Sequence, residues 1–154
     1  RLRLRSVDEP AESAYDLFQR GQALLEARHH AQAAVVLERA DRLEPNQASI
    51  VEAMARAYYN SRQHDLARTA FEHLLELEPN SHYGHFGLGE ALRKLGERDA
   101  AVTHLRLAVA MSPDSALYRS ALVRLEGVPG RAGPAVEPRP PQRGPGPEDP
   151  PPAG

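Results

Sequence analysis

Histidine is the side chain best placed to do chemistry here, and two of the seven stand at a metal-ligating spacing. His82 and His85 are three apart near the expected head of a helix, a separation that sets two imidazoles over one ion. A firm site needs a third donor, and the sequence offers none nearby. The expectation is therefore no metal: His29, His30 and His64 are read as exposed turn residues and His85 as half-buried. Catalysis finds no better support. No nucleophile–base grouping stands out, and Gly87 and Gly89 fall inside a helical pattern rather than a phosphate-cradling loop. No catalytic residue and no cofactor is assigned, so the chain is not expected to be an enzyme.

Composition narrows the field further. The length of 154 residues fits one domain. Cysteine is absent, which removes disulfides and thiolate metal sites. No apolar run has the length of a membrane span, and no signal-like apolar stretch follows the basic start Arg1-Leu2-Arg3-Leu4-Arg5. A cytoplasmic location is the expectation, although the first residue is not methionine and the true start could lie upstream. A single lysine beside eighteen arginines suggests a GC-rich, bacterial genome. Arg1, Arg3 and Arg5 supply three positive charges and the tail balances three arginines with three acids, so residues 6–126 carry −5 of a total of −2. An acidic body of this kind repels phosphate, and nucleic acid is excluded as a partner.

The tail itself is distinct. Ten of fourteen prolines and six of eleven glycines fall in Gly127–Gly154, with few large apolar residues to offset the entropy of ordering. It is expected to be disordered. Pro138, Pro141 and Arg143 fit the Pro-x-x-Pro-x-Arg ligands of Src-homology-3 domains, but in so proline-rich a tract the first reading is a spacer.

The elements that position everything else are announced by proline. Pro45, Pro79 and Pro113 are 34 residues apart, and they close the phrases Leu43–Asn46, Leu77–Asn80 and Met111–Asp114. Other columns keep the same register. Ala33, Ala67 and Ala101 stand twelve residues before the prolines, and Gly21, Ala55 and Gly89 twenty-four before. Leu37, Phe71 and Leu105 stand eight before, and Leu24, Tyr58 and Leu92 twenty-one before. Small residues let two antiparallel helices approach closely, and large ones fill the space between one pair and the next. Apolar spacing and stop signals predict first helices over Ala11–Ala27, Gln47–Asn60 and Ser81–Leu95. Second helices are predicted over Ala31–Leu43, Asp65–Leu77 and Asp99–Met111, and a last helix over Ala116–Glu126 that buries Leu117, Ala121, Leu122 and Leu125. Asn46, Asn80 and Asp114 are expected as N-caps.

This pattern, running from Ala14 to Pro113, resembles the tetratricopeptide repeat family. The resemblance implies an all-α, right-handed α-solenoid of three helix-turn-helix repeats plus a capping helix. The domain would run over 11–126, with units at about 14–47, 48–81 and 82–115 and the cap at 116–126. A flexible basic segment, 1–10, would precede it and the Pro/Gly-rich tail, 127–154, would follow. Three positions depart from the family pattern: Arg20 in the column of Met54 and Leu88, His85 in place of a large residue, and Leu74 in place of a small one.

In such proteins the first helix of each unit lines a concave groove that receives a peptide or helix of a partner. The positions implied are Tyr15, Phe18, Gln22, Leu25 and Glu26, then Ser49, Glu52, Arg56, Tyr59 and Asn60, then Tyr83, Phe86, Glu90, Arg93 and Lys94. Five of the eight aromatic residues are among them, and an exposed ring in a groove offers apolar area at low ordering cost. Glu52 with Arg56, and Glu90 with Lys94, are each four apart and could pair on their own helices. The positions that clamp a terminal carboxylate in chaperone-binding members hold Phe18, Gln22, Ala53, Tyr83 and Gly87, none of them a cation. The function expected is a non-enzymatic interaction scaffold for a protein or peptide partner. The alternatives are a homo-oligomeric module sharing Tyr118, Leu122 and Leu125 between copies, or the scaffold part of a longer protein whose activity lies elsewhere.

Overall fold

The computed structural model describes residues 10–127; the expectations for the basic start, the tail and its proline motif lie outside the described residues. Seven helices follow one another: α1 (Ala14–Glu26), α2 (His30–Leu43), α3 (Ala48–Asn60), α4 (His64–Leu77), α5 (His82–Lys94), α6 (Arg98–Met111) and α7 (Ala116–Glu126). All six helices of the three pairs fall where the register predicts, within a few residues. α1 begins three residues later than expected because Ser13 closes a capping box with Asp16, each side chain accepting the other's backbone N–H.

The turns inside each pair are built alike. Arg28, Arg62 and Gly96 hold φ of 64°, 65° and 83°. The next residue then donates its N–H five positions back, His29 to Leu24 at 2.8 Å, Gln63 to Tyr58 at 2.9 Å and Glu97 to Leu92 at 2.9 Å. That left-handed residue followed by a long backward bond is a Schellman stop. Between pairs the expected caps are corrected. Asn46 does not cap α3; it takes φ 63° in the turn, a conformation its short polar side chain tolerates. For α5 and α7 the cap falls one residue later, where Ser81 and Ser115 accept from the N–H of Gly84 and Tyr118. A serine oxygen one residue downstream reaches the orphan amides better than Asn80 or Asp114.

The small and large columns meet face to face. A Cβ on Gly21 would stand 2.5 Å from the Leu37 side chain, and one on Gly89 would stand 2.8 Å from Leu105. α1 and α5 therefore each seat the large residue of their own partner helix. Phe71 reaches further: it packs on Gly87 of the next unit, where a Cβ would lie 2.1 Å from the ring. Leu37, Phe71, Leu74 and Leu105 are wholly buried along one continuous core, so Leu74 is accommodated as a filler rather than a clash. A smaller cluster of Leu17, Val36, Ala40 and Ile50 closes the N-terminal end. Arg20 stays exposed there and bonds Glu12.

Curvature follows from which helices meet. α1 touches α3 and α3 touches α5, whereas successive second helices make at most marginal contact, so first helices form the inner wall. α7 continues that wall as the first helix of a fourth unit. The cap's buried face is corrected in register. Tyr118, Ala121 and Leu125 are buried, while Leu117 is 56% exposed. Counted from the prolines, Tyr118 occupies the column of Ile50 and Gly84, a core column, and Leu117 that of Tyr15, Ser49 and Tyr83. Val123 stands in the small-residue column and is 65% exposed, since among the described residues no second helix covers it.

Candidate functional site

On the inner wall, α5 presents Tyr83 and Phe86 three residues apart, one turn above Glu90. Their ring centroids are 6.2 Å apart, and Tyr83 meets the buried Phe71 edge-on at 6.1 Å. α7 extends the same surface. Tyr118 stacks on Phe86 at 4.8 Å and bonds His82 Nδ1 through its hydroxyl at 2.8 Å. Tyr118 is not among the expected groove positions and is itself buried; the proline register carries the signal, since it puts Tyr118 in the core column behind the groove column of Tyr83 and Leu117.

Between α3 and α5 lies a cavity of about 80 Å³ lined by Arg56, Tyr59, Tyr83, Phe86 and Glu90, with Phe71 and Gly87 also contributing. Gly87 is what lets the Phe71 ring come so near this wall. Asn60 is exposed and lines the same cavity.

The charges settle differently from their spacing. Glu90 does not pair with Lys94, which is exposed; its Oε2 accepts from Arg93 at 3.1 Å and from the Tyr59 hydroxyl at 3.3 Å. The three-residue step serves because Tyr59, from the neighbouring helix, holds the carboxylate on that side. The Glu90 carboxylate accordingly raises the Arg93 guanidinium above its ordinary value. The expected Glu52–Arg56 pair is also corrected: among the described residues neither forms an ion pair. Burial pushes the Glu52 carboxyl up, only partly opposed by Arg56. Burial likewise raises the Tyr59 phenol and pushes Tyr83 up to about 12.

The remaining positions divide. Phe18 and Gln22 are half-buried, and Phe18 packs against both core clusters. Tyr15 is 68% exposed, and Glu26 and Ser49 are exposed. Leu25 does not face the groove; it is buried in the core, because α1 turns that position toward α2. Tyr15, Phe18, Tyr59, Tyr83 and Phe86 thus all keep open surface, whereas Tyr58 and Phe71 are buried.

The histidines disperse. His82 turns to Tyr118, while His85 Nδ1 stands 3.1 Å from His104 Nδ1 with its ring stacked on that of His104. Among the described residues no three metal-ligating side chains converge. His30 and His64 are half-buried rather than exposed, since the second helices start one residue early and carry both inward at their first turn. The Nδ1 atoms of both are buried without a hydrogen-bond partner.

Comparison with known proteins bears on this geometry. Residues 52–116 match the family model described as Tetratricopeptide repeat. No curated protein matches the chain. Among solved structures, the first TPR domain of Spaghetti (RPAP3) bound to the HSP90 peptide SRMEEVD is similar at 13% identity and a TM-score of 0.71, over 79% of this chain and 96% of that one. MamA from Desulfovibrio magneticus RS-1 is similar at 20% identity and 0.72, over 75% of this chain and 65% of that one. The Arabidopsis OM64 TPR domain is similar at 17% identity and 0.71, over 74% and 94%. At these identities the likeness to solved structures concerns the fold.

Proposed function

We propose that this chain, whose residues 52–116 match the Tetratricopeptide repeat family model, is a non-enzymatic scaffold that holds an extended peptide or helix of a partner protein in its inner groove. One observation carries the reading: Tyr59, Tyr83 and Phe86 surround an open cavity on the inner wall and remain only half-buried. A ring that spends part of its area on its own chain keeps an apolar face for another.

The magnitudes fit a moderate binder. If each of the three rings buried a further ~60 Å², the gross gain would be about 4–5 kcal/mol. Association costs at least ~4 kcal/mol, so polar contacts must supply the margin and a micromolar Kd is expected. Glu52, Arg56 and Asn60 are the polar groups open for that purpose, with Glu90 and Arg93 fixing the rim.

Homo-assembly through the cap would have to use Leu122, which is half-buried, more than the other two residues assigned to it. Tyr118 and Leu125, which copies would have to share, are buried within their own chain. The test is to select a random peptide display library on the full chain, then measure the selected peptides against Tyr59→Ala and Phe86→Ala. Retained helicity with affinity lowered at least about tenfold is expected; peptides that bind both variants as tightly as the parent would move the site off this wall.

A further inference from the structure

We infer that His85 and His104, joined by Glu72, bind a divalent ion of the zinc type and so tie the third unit to the second. The site lies apart from the groove, beside the second helices α4 and α6, and does not depend on what the inner wall holds.

The two imidazoles come from facing helices, His85 from α5 and His104 from α6. Their Nδ1 atoms are 3.1 Å apart and their rings are tilted by 20°. A tetrahedral zinc with bonds of about 2.0–2.1 Å spaces two nitrogen ligands about 3.3–3.4 Å apart, so the pair needs little adjustment to share an ion. His85 is also oriented as a ligand is. Its Nε2–H donates to the Pro79 carbonyl at 3.2 Å, the second bond that ligating histidines usually make, and the Nδ1 lone pair is left for the ion. His104 must give up the Nδ1 proton that it donates to His85. Nε2 takes that proton instead, since no protein group among the described residues engages it. The imidazole stays neutral and only its tautomer changes. Sequence spacing singles out His82 with His85; the fold sends His82 to Tyr118 and brings His104 in its place.

Among the described residues no third ligand already stands at the pair, so the ion has to draw one in. Glu72 is the carboxylate placed for this. It lines one open cavity of about 450 Å³ together with His104, and its charge acts on that imidazole. Glu72 is loosely held: Arg68 stands 3.7 Å from it and hydrogen-bonds Glu97 at 3.2 Å, so that guanidinium keeps a partner when Glu72 leaves. Glu76, on the same cavity wall, is engaged by His73. Two imidazoles and one carboxylate leave a fourth position for water or a partner's donor. That set suits zinc better than a hard, oxygen-seeking cation, and with no cysteine in the chain no thiolate competes. The three ligands stand on α4, α5 and α6, so a bound ion spans the boundary between two units.

The experiment titrates zinc by calorimetry into the full, tag-free chain after chelation, with circular dichroism as the fold control. One ion per chain and a higher melting temperature are expected. His85→Gln and His104→Gln should each lower zinc affinity about a hundredfold, and Glu72→Gln about tenfold. His29→Gln, in an exposed turn, should leave it unchanged. In the parent, zinc should shift the imidazole resonances of His85 and His104 together, a readout that needs no variant to fold. No binding, equal affinity in the His85→Gln and His104→Gln chains, or shifts confined to other histidines would overturn the site. Unchanged affinity in Glu72→Gln would remove the link to the second unit and overturn the three-ligand site.

Discussion

His85 and His104 share a hydrogen bond whose polarity follows from simple accounting. His85 Nε2 lies 3.2 Å from the Pro79 carbonyl, so it must carry the proton and donate. His85 Nδ1 is then the acceptor for the N–H of His104 Nδ1 at 3.1 Å. Protonating the pair at that junction would set two donors face to face. Burial, with the neighbouring His85 adding to it, holds His104 below its ordinary 6.5, against a weaker opposing pull from Glu72. The folded chain thus binds this proton less readily than the unfolded one. Stability from this site is complete above 6.5 and is lost as pH falls below it. His64 is lowered as well, mainly by burial, and acts with the same sign. Glu52, whose carboxyl is raised, acts with the opposite sign, so the comparison must be made by difference. Melting temperature followed from about pH 7.5 to 5 should fall less steeply in His104→Gln than in the parent; parallel profiles would show that His104 does not titrate as described.

At the level of the element, three devices set helix ends and helix approach. Gly87→Ala gains about 1 kcal/mol of helix propensity but drives a Cβ into the Phe71 ring. The ring can shift only toward the groove cavity it lines, so a net loss of about 1–2 kcal/mol is expected by thermal melting, with peptide affinity lowered as the cavity fills. The turn residues predict the reverse sense. Arg62 adopts the left-handed conformation that Gly96 adopts at the equivalent turn. Arg62→Gly should therefore stabilise by up to about 1 kcal/mol, and Gly96→Arg should lose a similar amount. Ser81→Ala removes the oxygen that caps α5 and should cost about 1 kcal/mol in denaturant unfolding. An unchanged midpoint there would mean that water satisfies the Gly84 amide as well as serine does.

For the whole molecule, each unit buries its face only on its neighbours; among the described residues the second unit lies between two full units, the third between a full unit and α7, and the first has one neighbour. Amide exchange should be slowest in α3 and α4, with α1 and α7 opening first. Ending the chain after Ser115 would remove Tyr118, Ala121 and Leu125 from the core and uncover Phe86. That truncation is expected to lower the melting temperature and to broaden the transition. Uniform exchange along the chain would instead indicate a single cooperative block.

How far the chain could be read before its fold was known depends on the range of the interaction. The proline period, the small columns and the apolar spacing are local repeating features, and they set the number, order and near-limits of the helices and the contact of Gly21 with Leu37 and Gly89 with Leu105. The misread positions share another cause. Asn80 against Ser81 as the cap of α5, Arg93 against Lys94 as partner of Glu90, Tyr118 against Leu117 in the core and the inward turn of His30 and His64 are all choices between near neighbours at one helix. Sequence spacing allows both members of each choice. Packing selects one, because only the assembled units show which side chain meets a partner arriving from another helix.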